Sequence, residues 1–333
     1  MTHRKRIALS LPAPTGSVAD TIAMAQQAEA MGYDDLWLAD AGGLDALTLV
    51  PILLEHTEKV RVGIAVVPAY TRTPAVFAST FAVIAAAYPG RFIPGLGTSS
   101  QTIIERWHGL PMEKPLTRMK ETVCLIRTMM AGEKTDFQGE TLRSKGYIQM
   151  PTDPQLPIYL AGLRSKMVET AAEIGDGVIL NLFPRSALPR IIEHVGIGAE
   201  RAGKEKDDIE VVCRHMMVVT DDKEAGRAAF RAQFVSYYAT PVYNKFLQWC
   251  GYEDAAAEIR EGWAAKDRAR TAAALPDELI DEIGLIGTAA ECQELMRGYA
   301  DAGVHTNIVS CIYPTPEAME ATVGAFSAKN FSF

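Results

Sequence analysis

Eight times along its 333 residues this chain passes from a short apolar run into a longer stretch of helical spacing. The first strand is expected at Ile7–Leu11. The helix behind it is expected at Val18–Met31, where Ile22, Ala25, Ala28 and Met31 share a face and Gly32 stops the turn. Further strands are expected at Asp34–Ala39, Val60–Val67, Arg91–Gly97, Pro157–Ala161, Gly177–Leu180, Ile209–Val219 and Val304–Ile312. Their helices are expected at Leu44–His56, Pro74–Ala87, Pro115–Ala131, Ser165–Ile174, Ser186–Ala202, Lys223–Tyr238 and Pro316–Phe326, with another at Ala289–Ala302. Alternation of this kind predicts parallel strands joined by crossover helices, and eight pairs close into an α/β (β/α)8 TIM barrel. An open doubly wound sheet would put a glycine-rich phosphate loop after the first strand. Here that turn reads Leu11-Pro12-Ala13-Pro14-Thr15, so the barrel is the better fit.

Two stretches interrupt the rhythm. Residues 133–156 read as a surface hairpin, with arms at Asp136–Thr141 and Arg143–Gln149. Residues 240–283 read as a partly helical insertion carrying Tyr243, Phe246, Trp249 and Trp263. With no internal repeat and no low-complexity linker, residues 1–333 are expected to form a single domain.

Lys and Arg total 33 against 41 Asp and Glu, a net charge of −8. That balance argues against a general nucleic-acid or anionic-membrane surface. The charged start His3-Arg4-Lys5-Arg6 leads into an apolar run that stops at Pro12, too short for an export signal. The five cysteines, Cys124, Cys213, Cys250, Cys292 and Cys311, have no metal or redox spacing. Reduced thiols in a cytoplasmic protein are the expectation.

In a barrel, function gathers at the C-terminal ends of the strands. After strand two comes Asp40-Ala41-Gly42-Gly43, where Asp40 can accept a hydrogen bond or a proton, or simply cap the next helix. Strand three ends at Ala65-Val66-Val67-Pro68; the small Ala65 leaves room for a flat ring, although the run also reads as an ordinary buried strand. Strand four ends at Gly97-Thr98-Ser99-Ser100, which fails the dinucleotide fingerprint at its third position. Strand five opens a helix through Ala161-Gly162-Leu163-Arg164-Ser165-Lys166. Free amides and two cations there suit a phosphate, and equally an unexceptional helix start. The histidines form no metal-ligand pattern, and His215 within strand seven reads as a core histidine. No hydrolase elbow or P-loop is present.

The run Arg91-Phe92-Ile93-Pro94-Gly95-Leu96-Gly97-Thr98-Ser99-Ser100, followed by Glu105-Arg106-Trp107-His108-Gly109 and Glu113-Lys114-Pro115, resembles the F420-dependent oxidoreductases of the luciferase-like monooxygenase superfamily. Tyr70–Pro74, Tyr159–Lys166, Gly175-Asp176-Gly177, Leu285–Thr288 and Ala302–Val304 fit the same family in the same order. The resemblance implies a cofactor lying across the strand ends, coenzyme F420 with FMN as the alternative. It implies a non-prolyl cis peptide at Ala65–Val66 backing the ring, Asp40 at the ring's polar edge, Gly97, Thr98 and Ser99 along ring and linker, and Ala161, Gly162, Leu163, Arg164 and Ser165 around the phosphate. The implied reaction is hydride transfer between the deazaflavin C5 and a small organic substrate, with Asp40 or Glu105 as the acid. Sugar-phosphate dehydrogenases of the family carry a histidine after the strand-two aspartate and an acid beyond the strand-four glycines. Ala41 and Ser99-Ser100 stand there instead, so chemistry of the methylene-tetrahydromethanopterin reductase kind fits better. An FMN-dependent monooxygenase, a cofactor-free barrel enzyme on a phosphorylated substrate, and a deazaflavin carrier are the competing functions. A homodimer is implied by resemblance alone.

Overall fold

Strand three does not run unbroken. In the computed structural model, which describes residues 3–152, 156–312 and 315–333, it splits into β3 and β4 around a cis peptide bond at Ala65–Val66. The end of the 133–156 insertion and the residues just beyond strand eight include positions outside that description.

In chain order the elements begin with β1 Arg6–Ser10, α1 Val18–Ala30, β2 Asp35–Leu38, α2 Ala46–Glu55, β3 Arg61–Ile64, β4 Val67–Pro68 and α3 Pro74–Ala87. Strand four splits too, at Pro94, into β5 Phe92–Ile93 and β6 Gly95–Gly97. A proline cannot donate to a sheet ladder, which accounts for the break. A π-helix at Thr102–Trp107, α4 Pro115–Met130, and the antiparallel hairpin of β7 Asp136–Gln138 and β8 Arg143–Lys145 follow. Then come β9 Tyr159–Ala161, α5 Ser165–Ile174, β10 Gly177–Asn181, α6 Leu188–Arg201, β11 Glu210–Val219 and α7 Lys223–Tyr238. The 240–283 insertion is four helices: α8 Pro241–Trp249, α9 Glu253–Ala264, α10 Arg268–Ala273 and α11 Asp277–Ile283. The chain closes with β12 Leu285–Gly287, α12 Ala289–Asp301, β13 Thr306–Cys311 and α13 Pro316–Ala325.

The elements gather into two units. One is made chiefly of residues 11–179 and 194–210. In it β2 pairs with β3, β3 with β5, β4 with β6, β6 with β9, and β9 with β10, every pair parallel. Trp37 of β2 lies flat against Gly63 of β3: a Cβ at Gly63 would come within 2.7 Å of the indole. Beneath it Arg61 bonds Asp35 at 2.6 Å and Glu210 at 3.1 Å, and Tyr159 donates to Glu210. Burial and the Glu210 charge push the Tyr159 phenol well above its ordinary value, so it stays a donor. Such a buried charged set costs desolvation and holds together only because each carboxylate is paired. Phe81 of α3 packs tilted against Phe77 and edge-on against Phe92, with centroids 5.5 and 5.6 Å away.

The other unit comprises residues 4–10, 180–193 and 211–333 in their described part. Here β1 and β11 flank β13, and β12 pairs with β11, again parallel. Phe230, Phe234 and Tyr238 of α7 form one apolar cluster with Leu247, Ala256, Ile259, Leu275, Leu279 and Ile280 from the insertion. Most of these are fully buried, so the insertion is part of the core rather than a surface addition. His215 is a core histidine, as its sequence setting indicates. Its Nε2 lies 3.0 Å from Asn307 Oδ1, its ring meets Tyr299 edge-on with centroids 4.5 Å apart, and burial lowers its pKa to about 4.

All five cysteines are unpaired thiols. Cys213, Cys292 and Cys311 are buried and Cys124 is exposed.

Candidate functional site

Strand ends within the first unit bring most of the expected site residues together. Asp40 follows β2, and its backbone N–H reaches the Val66 carbonyl at 3.4 Å. Ala65 N–H bonds the Leu38 carbonyl at 2.6 Å, so the strand-two and strand-three ends are stitched on both sides of the cis bond. Val67 and Pro68 align with Leu96 and Gly97, and Ala69 N–H donates to the Gly97 carbonyl at 2.9 Å.

Two glycines of the strand-four motif are dictated by space. A Cβ at Gly95 would sit 1.8 Å from the Ile64 carbonyl oxygen. One at Gly97 would meet Val66 Cγ2 at 2.3 Å and the Ala161 methyl at 3.5 Å. Gly97, Val66 and Ala161 therefore converge into a floor with little side chain on it. Thr98 and Ser99 continue from this floor, both half-buried, and Ser99 adopts φ +62°. A left-handed serine carries a small local cost and turns the chain into the segment that follows. Ser100 starts that segment: its hydroxyl accepts from Ile103 N–H at 3.4 Å and its carbonyl from Ile104 N–H at 2.9 Å.

Strand five supplies the neighbouring loop. Ile179 aligns with Ala161, and Gly162 N–H bonds the Ile179 carbonyl at 3.1 Å. A Cβ at Gly162 would lie 2.9 Å from the Val168 Cα, so the glycine lets α5 pack against its own strand. Arg164 is the N-cap residue of α5, and no side chain caps that end among the described residues. Arg164 and Lys166 are exposed, Leu163 and Ser165 half-buried. First-turn amides with two free-reaching cations form a good anion cradle.

The acids separate in role. Asp40 accepts a hydrogen bond from Arg72 Nη1 at 2.8 Å, with both side chains less than one-fifth exposed. The other guanidinium nitrogen of Arg72 pairs with Asp45, which caps α2 by accepting from Thr48 N–H at 2.7 Å. Burial raises the Asp45 carboxyl, but the Thr48 hydrogen bonds and the Arg72 charge outweigh it and leave the carboxyl below its ordinary value. Glu105 lies elsewhere, exposed on the π-helix, with Met112 N–H donating to its Oε1 at 3.4 Å. Contacts among the described residues do not bring Glu105 to Asp40.

Two residues outside the expected set belong here. Arg72 sits in the Tyr70–Pro74 motif, and its signal was a lone cation between a strand end and the Thr73 cap, opposite two loop aspartates. Trp107 is 60% exposed, and a Cβ on Gly42 would touch its ring at 3.6 Å. Nothing in the hydrophobic pattern announced it, because the π-helix that presents it has no 3.6-residue period. Its signature is His108 N–H reaching back five residues to the Ile103 carbonyl at 3.2 Å. Among the described residues no group of His, Cys, Asp and Glu is arranged to hold a metal.

With this geometry in place, the comparisons converge. The model of the luciferase-like monooxygenase family matches residues 2–306. A 5,10-methylenetetrahydromethanopterin reductase of Methanolobus tindarius is 28% identical, covering 93% of this chain and 96% of its own. Another, of Archaeoglobus fulgidus, is 30% identical over 85% of this chain and 86% of its own. The solved coenzyme F420-dependent tetrahydromethanopterin reductase of Methanopyrus kandleri superposes with a TM-score of 0.80 at 20% identity, covering 97% of this chain and 98% of its own. The fold is thus the luciferase-like (β/α)8 barrel, as the strand–helix alternation predicts. The chain belongs to the luciferase-like monooxygenase family.

Proposed function

We propose that this protein is an F420-dependent oxidoreductase that moves a hydride between the deazaflavin C5 and an electrophilic carbon of a small organic substrate. The observation that carries the proposal is the floor where Gly97, Val66 and Ala161 meet, flanked by the paired Asp40 and the α5 N-terminus. A planar ring needs a surface of glycine and small side chains, and an anionic tail needs amides and cations; both are present in one unit. The relatives named as reductases of a methylene-bearing pterin support this reading. When bound, the cofactor supplies the hydride chemistry. The chain's own part is to seat the ring on Ala65, Val66 and Gly97, to flank it with Thr98 and Ser99, and to hold the phosphate with the 161–165 loop. Glu105, exposed and lightly bonded, is the carboxyl free to pass a proton to substrate.

The test is an equilibrium titration of the purified protein with F420 and with FMN, followed by cofactor absorbance or protein fluorescence. Saturable binding of F420 alone is expected. Preferential FMN binding, with oxygen consumption by the reduced form, would move the assignment to a monooxygenase, the reading the family name favours.

The whole chain acts as one domain in this proposal, in a reducing cytoplasm, as a homodimer. Among the described residues no helix is long and apolar enough to cross a membrane. Val83 of α3, 70% exposed, lines a groove with Leu47, Pro51, Ile84 and Tyr88, and gives the dimer an apolar face. Sedimentation of a monomer at working concentration would overturn the dimer.

A further inference from the structure

We infer that Arg72 is a positioning residue for the cofactor, acting through Asp40, and that Asp40 serves the ring as a hydrogen-bond acceptor held in a fixed place. The inference rests on the F420 reading above. Arg72 leaves the strand-three end one residue before the Thr73 cap of α3. Its Nη1 donates to Asp40 Oδ2 at 2.8 Å and lies 3.3 Å from the Thr71 hydroxyl, while Nη2 pairs with Asp45. A planar guanidinium held by two carboxylates has little rotamer freedom left, and it fixes the carboxylates in turn. Only Oδ2 of Asp40 is used in this bond. Among the described residues Oδ1 accepts no hydrogen bond, and the side chain keeps 16% of its surface open. Asp40's own N–H is tied to the Val66 carbonyl, so its backbone is anchored to the floor while its carboxylate is held by Arg72. A carboxylate paired in this way presents a lone pair at a set position. That suits an N–H at the edge of a cyclic amide or imide, the group a deazaflavin ring carries.

The experiment is a double-mutant cycle read as the F420 dissociation constant, with melting temperature as a parallel readout. Arg72→Gln and Asp40→Asn are each expected to weaken F420 binding about tenfold. If Arg72 acts through Asp40, the double variant binds no more weakly than Asp40→Asn alone, and Arg72→Lys recovers part of the loss. Asp45→Asn, which keeps an α2 cap but loses one of the two carboxylates holding Arg72, is expected to weaken F420 binding less than Arg72→Gln does. Additive losses in the double variant, or a wild-type dissociation constant in Arg72→Gln, would overturn the inference. So would a fall in affinity for Asp45→Asn as large as that for Arg72→Gln, because Arg72 would then act on the α2 start and not on Asp40. Failure of the wild-type protein to bind F420 at all would instead strike the functional reading beneath it.

Discussion

Cys213, His215 and Asn307 make the connections of a nucleophilic triad: the thiol lies 3.6 Å from Nδ1, and Nε2 lies 3.0 Å from the amide oxygen. Burial decides against chemistry there, because it raises the thiol well above its ordinary value and drops the imidazole to about 4. Neither charged form is then available, and the trio is a packing motif. The same burial makes His215 a source of acid sensitivity. Its folded pKa of about 4 lies below the ordinary 6.5, so between those values the unfolded chain binds the extra proton. The stability this histidine protects is intact above pH 6.5 and drains away as pH falls toward 4. From pH 7.5 to 5 the loss is expected to be about 2 kcal/mol in urea unfolding, and His215→Gln should remove that component of the pH dependence. At Gly95 the constraint is spatial: Gly95→Ala drives a methyl into the Ile64 carbonyl and should cost upward of about 3 kcal/mol in the same assay. For catalysis, Glu105→Gln should cut turnover by about a hundredfold while leaving F420 affinity unchanged, since Glu105 touches neither floor nor phosphate loop. Equal turnover would return the proton to water or to another side chain.

At the scale of elements, the boundaries legible in the sequence are those with local punctuation. Pro74, Pro115 and Lys223 begin helices where the apolar period begins, and α3 and α7 match their expected bounds at both ends. The interruption of strand three falls at the Ala65–Val66 cis bond, which no residue type marks and which family resemblance alone led us to expect. That of strand four was not legible: Pro94 is visible as a proline but not as a break inside a β-rich run. The insertion was read as partly helical and is four helices, because its apolar residues answer to α7 rather than to one another. Removing 240–283 would expose Phe230, Phe234 and Tyr238, so deletion should unfold this unit. The hairpin has a different anchor. Glu121 of α4 accepts from the Glu140, Thr141 and Leu142 amides and from the Thr141 hydroxyl, and a Cβ at Gly139 would strike its carboxylate at 2.4 Å. Burial raises this carboxyl, and the four hydrogen bonds overcome it to leave the pKa lowered. Glu121→Ala should release residues 136–145 to limited proteolysis and cost about 2 kcal/mol, with cofactor affinity preserved.

For the molecule as a whole, the order of eight strand–helix pairs was enough to reach the barrel, because parallel topology leaves few ways to close. The site was legible only as loops. Composition pointed to strand ends and to one anion cradle, and family resemblance supplied the ring, yet neither showed which side chains pair. Asp40 looked like a free acid or a cap until Arg72 was seen to hold it, a relation between residues 32 positions apart. Ligand binding should register globally: at F420 a hundredfold above its dissociation constant, mass action adds about 2.7 kcal/mol to the folded state, readable as a raised melting temperature.

Burial of the cysteines has a practical corollary. Cys250, Cys292 and Cys311 are each pushed up to about 12 and burial raises Cys213 well above its ordinary value, whereas Cys124 stands exposed on α4. Thiolate is the species that attacks a maleimide, so under native conditions the wild-type sequence already behaves as a single-thiol reagent. A dye placed at Cys124 without any engineering would report on the α4 side of the first unit while the cofactor is titrated in.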